Sequence, residues 1–466
     1  MKFRTTLILL LVFIVLLALV YFFEIRGKGE QETEEKLVDL SSDEVRKIVF
    51  KRDDESITFR KEEEDWLITE PLEAKADKYE VNQLVDNFCQ LGIERVVEET
   101  AAEEDLKKYE IPQKEIILHF KAKAHPVRIK VGMENPLDNT FFAQREGEPR
   151  IVLIPSHLKT HMEKSVFDFR KKDIFSFDTD QVKSIRVRAK ERSWRAQKKE
   201  DEWFLKKPLE SLAETSKINS ILNSLSSLKA KEFISEKKKE EEIKKYGLDR
   251  PDYEIHLILP AASQEATFFL QEKEDKLYAT TSLSSKIIAA EDTILSDLEK
   301  QVQELRDKEV AHFYSWEADK LHIKKAELDW MLKKDDEGNW RFESPVKEEA
   351  DKSKVETFIR KIESLEADEI IDPPLKLKHY GLDSPQAEVK IWTEEDEEKG
   401  KEINILVGSE IMEKVKEEEE EEEEEVKRVF IKNVRFDYIF KVEASFLDEF
   451  PQGLKDWKKA EEEKEK

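Results

Sequence analysis

Apolar residues recur at helical spacing in three places along the chain. The first set is Val81, Leu84, Val85, Phe88 and Leu91; the second is Ile218, Ile221, Leu222, Leu225 and Leu228; the third is Val355, Phe358, Ile359, Ile362 and Leu365. Spacing of i, i+3, i+4, i+7 and i+10 puts each set on one face of an amphipathic helix. An Ala and an acidic residue precede each set: Ala76-Asp77, Ala213-Glu214 and Ala350-Asp351. The acid stands where a helix N-cap belongs, and Asp77 with Glu80 has the spacing of a capping box. Ahead of each helix lies a frame of Trp, four residues and Pro: Trp66 to Pro71, Trp203 to Pro208 and Trp340 to Pro345. Both steps between the tryptophans are 137 residues, and each Pro is followed by an aliphatic residue, Leu72, Leu209 or Val346.

The pattern after each helix repeats as well. A Leu/Ile-x-x-Tyr signal leads to Tyr246-Gly-Leu-Asp-Arg-Pro251 in the second copy and Tyr380-Gly-Leu-Asp-Ser-Pro385 in the third. Gly247 and Gly381 fit the left-handed position that ends a short helix, and Asp-x-Pro then turns the chain. The first copy, Tyr109-Glu-Ile-Pro112, lacks the glycine, so its turn must differ. Short alternating or continuous apolar runs predict strands at 45–52, 56–61, 116–120, 127–131, 140–144 and 151–154 in the first copy. Their counterparts fall at 182–189, 194–198, 254–259, 267–270 and 277–280, and at 388–392, 403–407 and 429–432. The expected class is α+β: three tandem units, each a mostly antiparallel sheet with packed helices. The units are placed at 37–172, 173–308 and 309–456, since Phe169-Arg170-Lys171 and Leu305-Arg306-Asp307 each precede a new first strand. Within the third unit, 413–427 reads as an acidic loop carrying nine consecutive glutamates, Glu417 to Glu425; 457–466 reads as a charged tail.

The first 36 residues follow a different pattern. Residues 5–23, TTLILLLVFIVLLALVYFF, carry no charge and as a helix would span about 28 Å, close to a bilayer's hydrocarbon thickness. Lys2 and Arg4 precede them, which by the positive-inside rule keeps the N-terminus cytoplasmic. Ala18-Leu19-Val20 is a poor small-x-small site, so an uncleaved anchor is favoured over a signal peptide. The expectation is a single-pass inner-membrane protein, its partner bilayer engaged through residues 5–23 and the rest periplasmic or extracellular.

Composition narrows the function classes. With 81 Lys+Arg against 107 Asp+Glu the net charge is −26, which repels phosphate backbones and argues against nucleic acid as a partner. The single cysteine, Cys89, allows no intrachain disulfide and sits among helix-face apolar positions, as a small buried hydrophobe would. His157 and His161 stand four apart, but no Glu follows His157 as a zincin motif requires. The glutamate run lacks the turn residues that fix a calcium site. No phosphate loop, dinucleotide fingerprint or G-x-S-x-G elbow occurs. Neither a cofactor, a metal site nor an enzyme is therefore expected. The signature that recurs consists of Trp66, Trp203, Trp340, Pro71, Pro208, Pro345, Tyr109, Tyr246, Tyr380, Gly247 and Gly381, residues whose roles are ring burial, turn geometry and helix ends.

The anchor, the Trp-x4-Pro frame, the Ala-Asp-led helix and Tyr-Gly-Leu-Asp-x-Pro together resemble the bacterial domain-of-unknown-function family 4340. The resemblance implies a membrane-anchored protein, in some cases encoded near gliding-motility-type ABC transporter components, and it brings no catalytic residues. The expected role is a scaffold or accessory subunit of a cell-envelope or ABC-transporter-type assembly. The alternative is an extracytoplasmic module binding an envelope glycan, peptide or lipid. Exposed aromatics clustered in a groove would favour it, and buried ones the scaffold.

Overall fold

The computed structural model describes residues 35–52, 55–259, 265–393, 401–415 and 424–459. Three antiparallel sheets follow one another along the chain, one for each sequence repeat. The first contains β1 (Val45–Arg52), β2 (Glu55–Glu62), β3 (Asp65–Glu70), β4 (Ala74–Lys75), β5 (Arg95–Glu98), β6 (Lys114–Phe120), β7 (Val127–Glu134), β8 (Phe141–Arg145) and β9 (Ile151–Ile154). The second contains β10 (Ser184–Ala189), β11 (Arg192–Lys199), β12 (Glu202–Lys207), β13 (Ser211–Ala213), β14 (Ala230–Ser235), β15 (Tyr253–Ile258), β16 (Glu265–Lys273), β17 (Lys276–Thr281) and β18 (Ile287–Ala290). The third contains β19 (Ala318–Lys325), β20 (Leu328–Lys334), β21 (Trp340–Ser344), β22 (Glu369–Ile371), β23 (Ala387–Thr393), β24 (Lys401–Val415), β25 (Glu424–Asn433) and β26 (Ile439–Glu443).

The strand order is the same in the first two sheets, and the third follows it without the edge strand that β4 and β13 supply. The order runs β4-β3-β2-β1-β6-β7-β8-β9-β5, then β13-β12-β11-β10-β15-β16-β17-β18-β14, then β21-β20-β19-β23-β24-β25-β26-β22. The helices predicted from apolar spacing are α1 (Lys78–Cys89), α2 (Thr215–Ser226) and α3 (Lys352–Glu363). Each buries its periodic face: Val81, Leu84, Val85 and Phe88; Ile218, Ile221, Leu222 and Leu225; Val355, Phe358, Ile359 and Ile362. These residues meet the inward side of the strands to form one main core per repeat. Residues on the opposite sheet face are covered locally by the tyrosine segment, as where Tyr109 stacks on Phe142 at 4.3 Å.

Each repeat closes on itself in the same way. The acidic cap position donates its backbone N–H to the residue that ends the repeat: Asp77 to the Phe169 carbonyl at 2.8 Å, Glu214 to Leu305 at 2.9 Å, Asp351 to Trp457 at 2.7 Å. Isolated bridges pair Ala76 with Arg170, Ala213 with Arg306 and Ala350 with Lys458. The tail therefore starts later than position 457. Trp457 is buried against Trp330 and Phe358, because the third repeat needs the same closing residue that Phe169 and Leu305 supply.

Other boundaries shift for similar reasons. β24 and β25 pair from Ile405 and Asn433 out to Val415 and Glu424, so 413–415 and 424–427 are strand rather than loop. Their charges sit outside the ladder in pairs such as Lys441 with Glu413, 2.7 Å apart, which leaves backbone pairing undisturbed. The remainder of the glutamate run lies outside the described residues. Short β5, β14 and β22 have no counterpart in the predicted strands; half-exposed and charged, they carry little alternation to read.

The chain divides into two compact units, one ending at Lys172 and one beginning at Asp173. Repeat one is thus a unit by itself, while repeats two and three share the second. Among the described residues no helix is long and apolar enough to cross a membrane; the span expected at 5–23 lies outside them.

Candidate functional site

The recurring residues lie where folding requires them. Trp66, Trp203 and Trp340 stand on β3, β12 and β21 and are at most 1% exposed. The Trp66 indole N–H donates to Asn82 Oδ1 on α1 at 2.8 Å. The Trp203 and Trp340 N–H groups are buried with no hydrogen-bond partner among the described residues. Pro71, Pro208 and Pro345 lie exposed in the turn after these strands, each preceded by a cis peptide bond. Asp77 and Asp351 cap α1 and α3 by accepting two backbone N–H bonds each. Glu80 does not complete a reciprocal box; its carboxylate pairs with Lys164 instead. Glu214 likewise turns its side chain to Lys217 and Ser216 and leaves α2 without a side-chain cap.

Tyr109, Tyr246 and Tyr380 end the short helical segments, and Gly247 (φ +74°) and Gly381 (φ +66°) take the left-handed conformation expected there. In the first repeat Glu110 takes it at φ +53°. The degenerate turn therefore keeps the geometry without the glycine. Its neighbour Gly132 lets β7 approach this turn, since a Cβ there would lie 2.3 Å from the Tyr109 carbonyl oxygen. Of the two spaced histidines, His157 is exposed and His161 half-buried, and burial holds the His161 imidazole below its usual range. The pair gains no third donor among the described residues.

A charged cleft that sequence reasoning missed lies between repeats two and three. It encloses about 550 Å³ and is lined by Glu202, Glu214, Asp307, Glu309, His312 and Glu366, together with Lys217 and Lys308. The connector that runs through it is held on both sides. The Asp307 N–H donates to the Leu212 carbonyl of repeat two at 3.0 Å, and Val310 N–H to Leu365 of repeat three at 2.9 Å. Arg306, nearly fully buried, donates from Nε to Ser211 Oγ at 3.1 Å and lays its guanidinium over the Tyr438 ring at 4.9 Å. Arg435 of the third repeat forms a fork with both Glu202 oxygens of the second.

His312 sits between two acids of this connector. Its Nδ1 lies 2.9 Å from Glu309 Oε2, and its Nε2 lies 3.3 Å from Asp307 Oδ2. Burial lowers the imidazole pKa, but the Asp307 and Glu309 carboxylates outweigh it and hold the ring above its usual range. Burial also raises the Glu309 carboxyl. These three residues are the group of His and acidic donors that converges among the described residues, within 4.8 Å of one another. Both ring nitrogens already face a carboxylate, which suits a protonated imidazole. The spacing Asp307-x-Glu309-x-x-His312 at a repeat junction was the available signal.

The family profile described as "Domain of unknown function (DUF4340)" matches residues 66–251, 203–385 and 340–461. The chain belongs to this family. Each of the first two DUF4340 matches starts at a frame tryptophan and ends at the proline of the next repeat's Tyr-Gly-Leu-Asp-x-Pro, so successive matches overlap. No curated protein matches the chain. Among solved structures, the DNA polymerase III subunit beta of Pseudomonas aeruginosa is similar at 7% identity, over 86% of this chain and 91% of that one, with a TM-score of 0.15. A DNA polymerase sliding clamp from the same organism gives 6%, 87%, 93% and 0.15. At that TM-score neither likeness carries weight for this DUF4340 chain.

Proposed function

We propose that the chain is a single-pass, membrane-anchored extracytoplasmic repeat protein that acts as a scaffold or accessory subunit of a cell-envelope or ABC-transporter-type assembly. The supporting observation is the burial of all three frame tryptophans: what recurs across the repeats is committed to cores, turns and caps. A threefold catalytic or ligand site would need reactive or exposed side chains to recur. Repeated units of this kind offer extended surfaces for partners, and no enzymatic role is proposed. The anchor rests on residues 5–23, the periplasmic or extracellular location on Lys2 and Arg4 ahead of them, and the transporter association on the family resemblance.

A ligand-binding role is favoured by one feature. Tyr314 and Trp316 are more than half exposed and stack on each other at 4.3 Å. The deciding experiment is crosslinking in native membranes, then detergent extraction and mass spectrometry, against an anchor-only control. Enrichment of ABC-type membrane subunits supports the accessory role. Co-purification of glycan or lipid without a protein partner overturns it and turns attention to the Tyr314–Trp316 patch.

A further inference from the structure

The connector between repeats two and three is short, buried on one side and charged on the other. Val310 and Ala311 are inserted into the third repeat's core, and the Val310 carbonyl accepts from Asn433 Nδ2 at 2.8 Å. Ala367 N–H returns to the Lys308 carbonyl at 2.8 Å, and Glu309 forms a bridge with Glu366. On the cleft side His312 lies between the Asp307 and Glu309 carboxylates.

A neutral imidazole has a single N–H, so only one ring nitrogen can donate to a carboxylate. The other then presents a lone pair to an anion at about 3 Å, a repulsive contact. The arrangement seen, with a carboxylate oxygen within 3.3 Å of each ring nitrogen, suits a doubly protonated ring, with Nε2 in ion-pair range of Asp307 rather than in hydrogen-bond geometry. We propose that His312 is a proton-operated latch on the junction of repeats two and three: as imidazolium it draws Asp307 and Glu309 together and keeps the connector docked on both sheets, and as neutral imidazole it releases one of them.

The surroundings reinforce that dependence. Glu202 on β12, Glu214 at the start of α2 and Glu366 after α3 face the same cleft. The cations nearby are Lys308, Lys217, which pairs with Glu214, and Arg435, which pairs with Glu202. When His312 loses its proton the carboxylates are left in excess. A histidine held above its usual value of about 6.5 stabilises its docked state below that value and loses the contribution as pH rises through the raised one. The junction should therefore be tight in mildly acidic conditions and looser in alkaline ones. Repeat one, whose connector positions carry Lys171, Asp173 and Ser176 where repeat two has Asp307, Glu309 and His312, has no such group.

The test is hydrogen–deuterium exchange of the full chain in detergent at pH 5.5 and 8.5, corrected for intrinsic exchange, in the wild type and in His312→Gln. Peptides covering 305–315 should lose protection about tenfold or more between the two values, while α1 peptides stay constant. His312→Gln should show the low protection at both. Should that variant misfold, an NMR titration of wild-type His312 serves instead, with a midpoint above the usual histidine value expected. Protection independent of pH, a midpoint below that value, or a pH response surviving in His312→Gln overturns the latch. A junction that tightens only on adding Zn²⁺ and loosens with EDTA, irrespective of pH, also overturns it.

Discussion

Replacing a frame tryptophan separates packing from recognition. Trp66 is 1% exposed and Trp340 0% exposed, so truncating either to Ala should cost about 3–5 kcal/mol from lost burial and the cavity left behind. For units of this size that corresponds to a fall in Tm of roughly 6–20 °C. The chain has two compact units, so the losses should separate in a calorimetric scan. Trp66→Ala should lower only the transition of the unit ending at Lys172, and Trp203→Ala and Trp340→Ala only that of the unit beginning at Asp173. Replacement by Phe gives a finer comparison. Trp66→Phe removes the bond to Asn82 at 2.8 Å and strands its carbonyl oxygen, whereas the Trp340 N–H has no partner to lose among the described residues. Trp66→Phe should be the more damaging by about 1 kcal/mol. Unchanged transitions in the Ala variants, together with loss of partner or ligand capture, would refute the packing assignment and make the tryptophans a binding surface.

Two further outcomes follow from the same geometry. Asp77→Ala and Asp351→Ala should each lower stability by about 1 kcal/mol in urea titrations, while Glu214→Ala should cost clearly less because its side chain caps nothing. Cys89 is fully buried and its thiol is pushed up to about 12, chiefly by burial and then by Asp86. It should resist an aromatic disulfide reagent in the native state at pH 8 and react stoichiometrically once urea unfolds repeat one. Reaction of the folded chain at the rate of a free thiol would contradict that burial.

What adjacent residues can encode was legible. Helical spacing fixed α1, α2 and α3 to their buried faces, the acid before two of them is the cap, and Gly247 and Gly381 have the backbone conformation their motif requires. These features arise within a few residues, where side-chain period and backbone preference act directly. The Trp frame could be assigned to packing for the same reason: it recurs with no reactive side chain. The closing contacts were beyond that reach. Nothing near Trp457 says that its carbonyl will receive the Asp351 N–H across the whole third repeat, or that β5 will pair with β9 rather than with its sequence neighbour. Such pairings depend on which backbone edges remain unsatisfied once the sheet has formed. The cleft is of the same kind. Asp307, Glu309 and His312 are close in sequence, yet Glu202, Glu214 and Glu366 reach them only because repeats two and three pack into one unit. The sequence alone determined the repeat and its cores; the tertiary structure decided where charge is concentrated, because electrostatic coupling depends on distance through space and not along the chain.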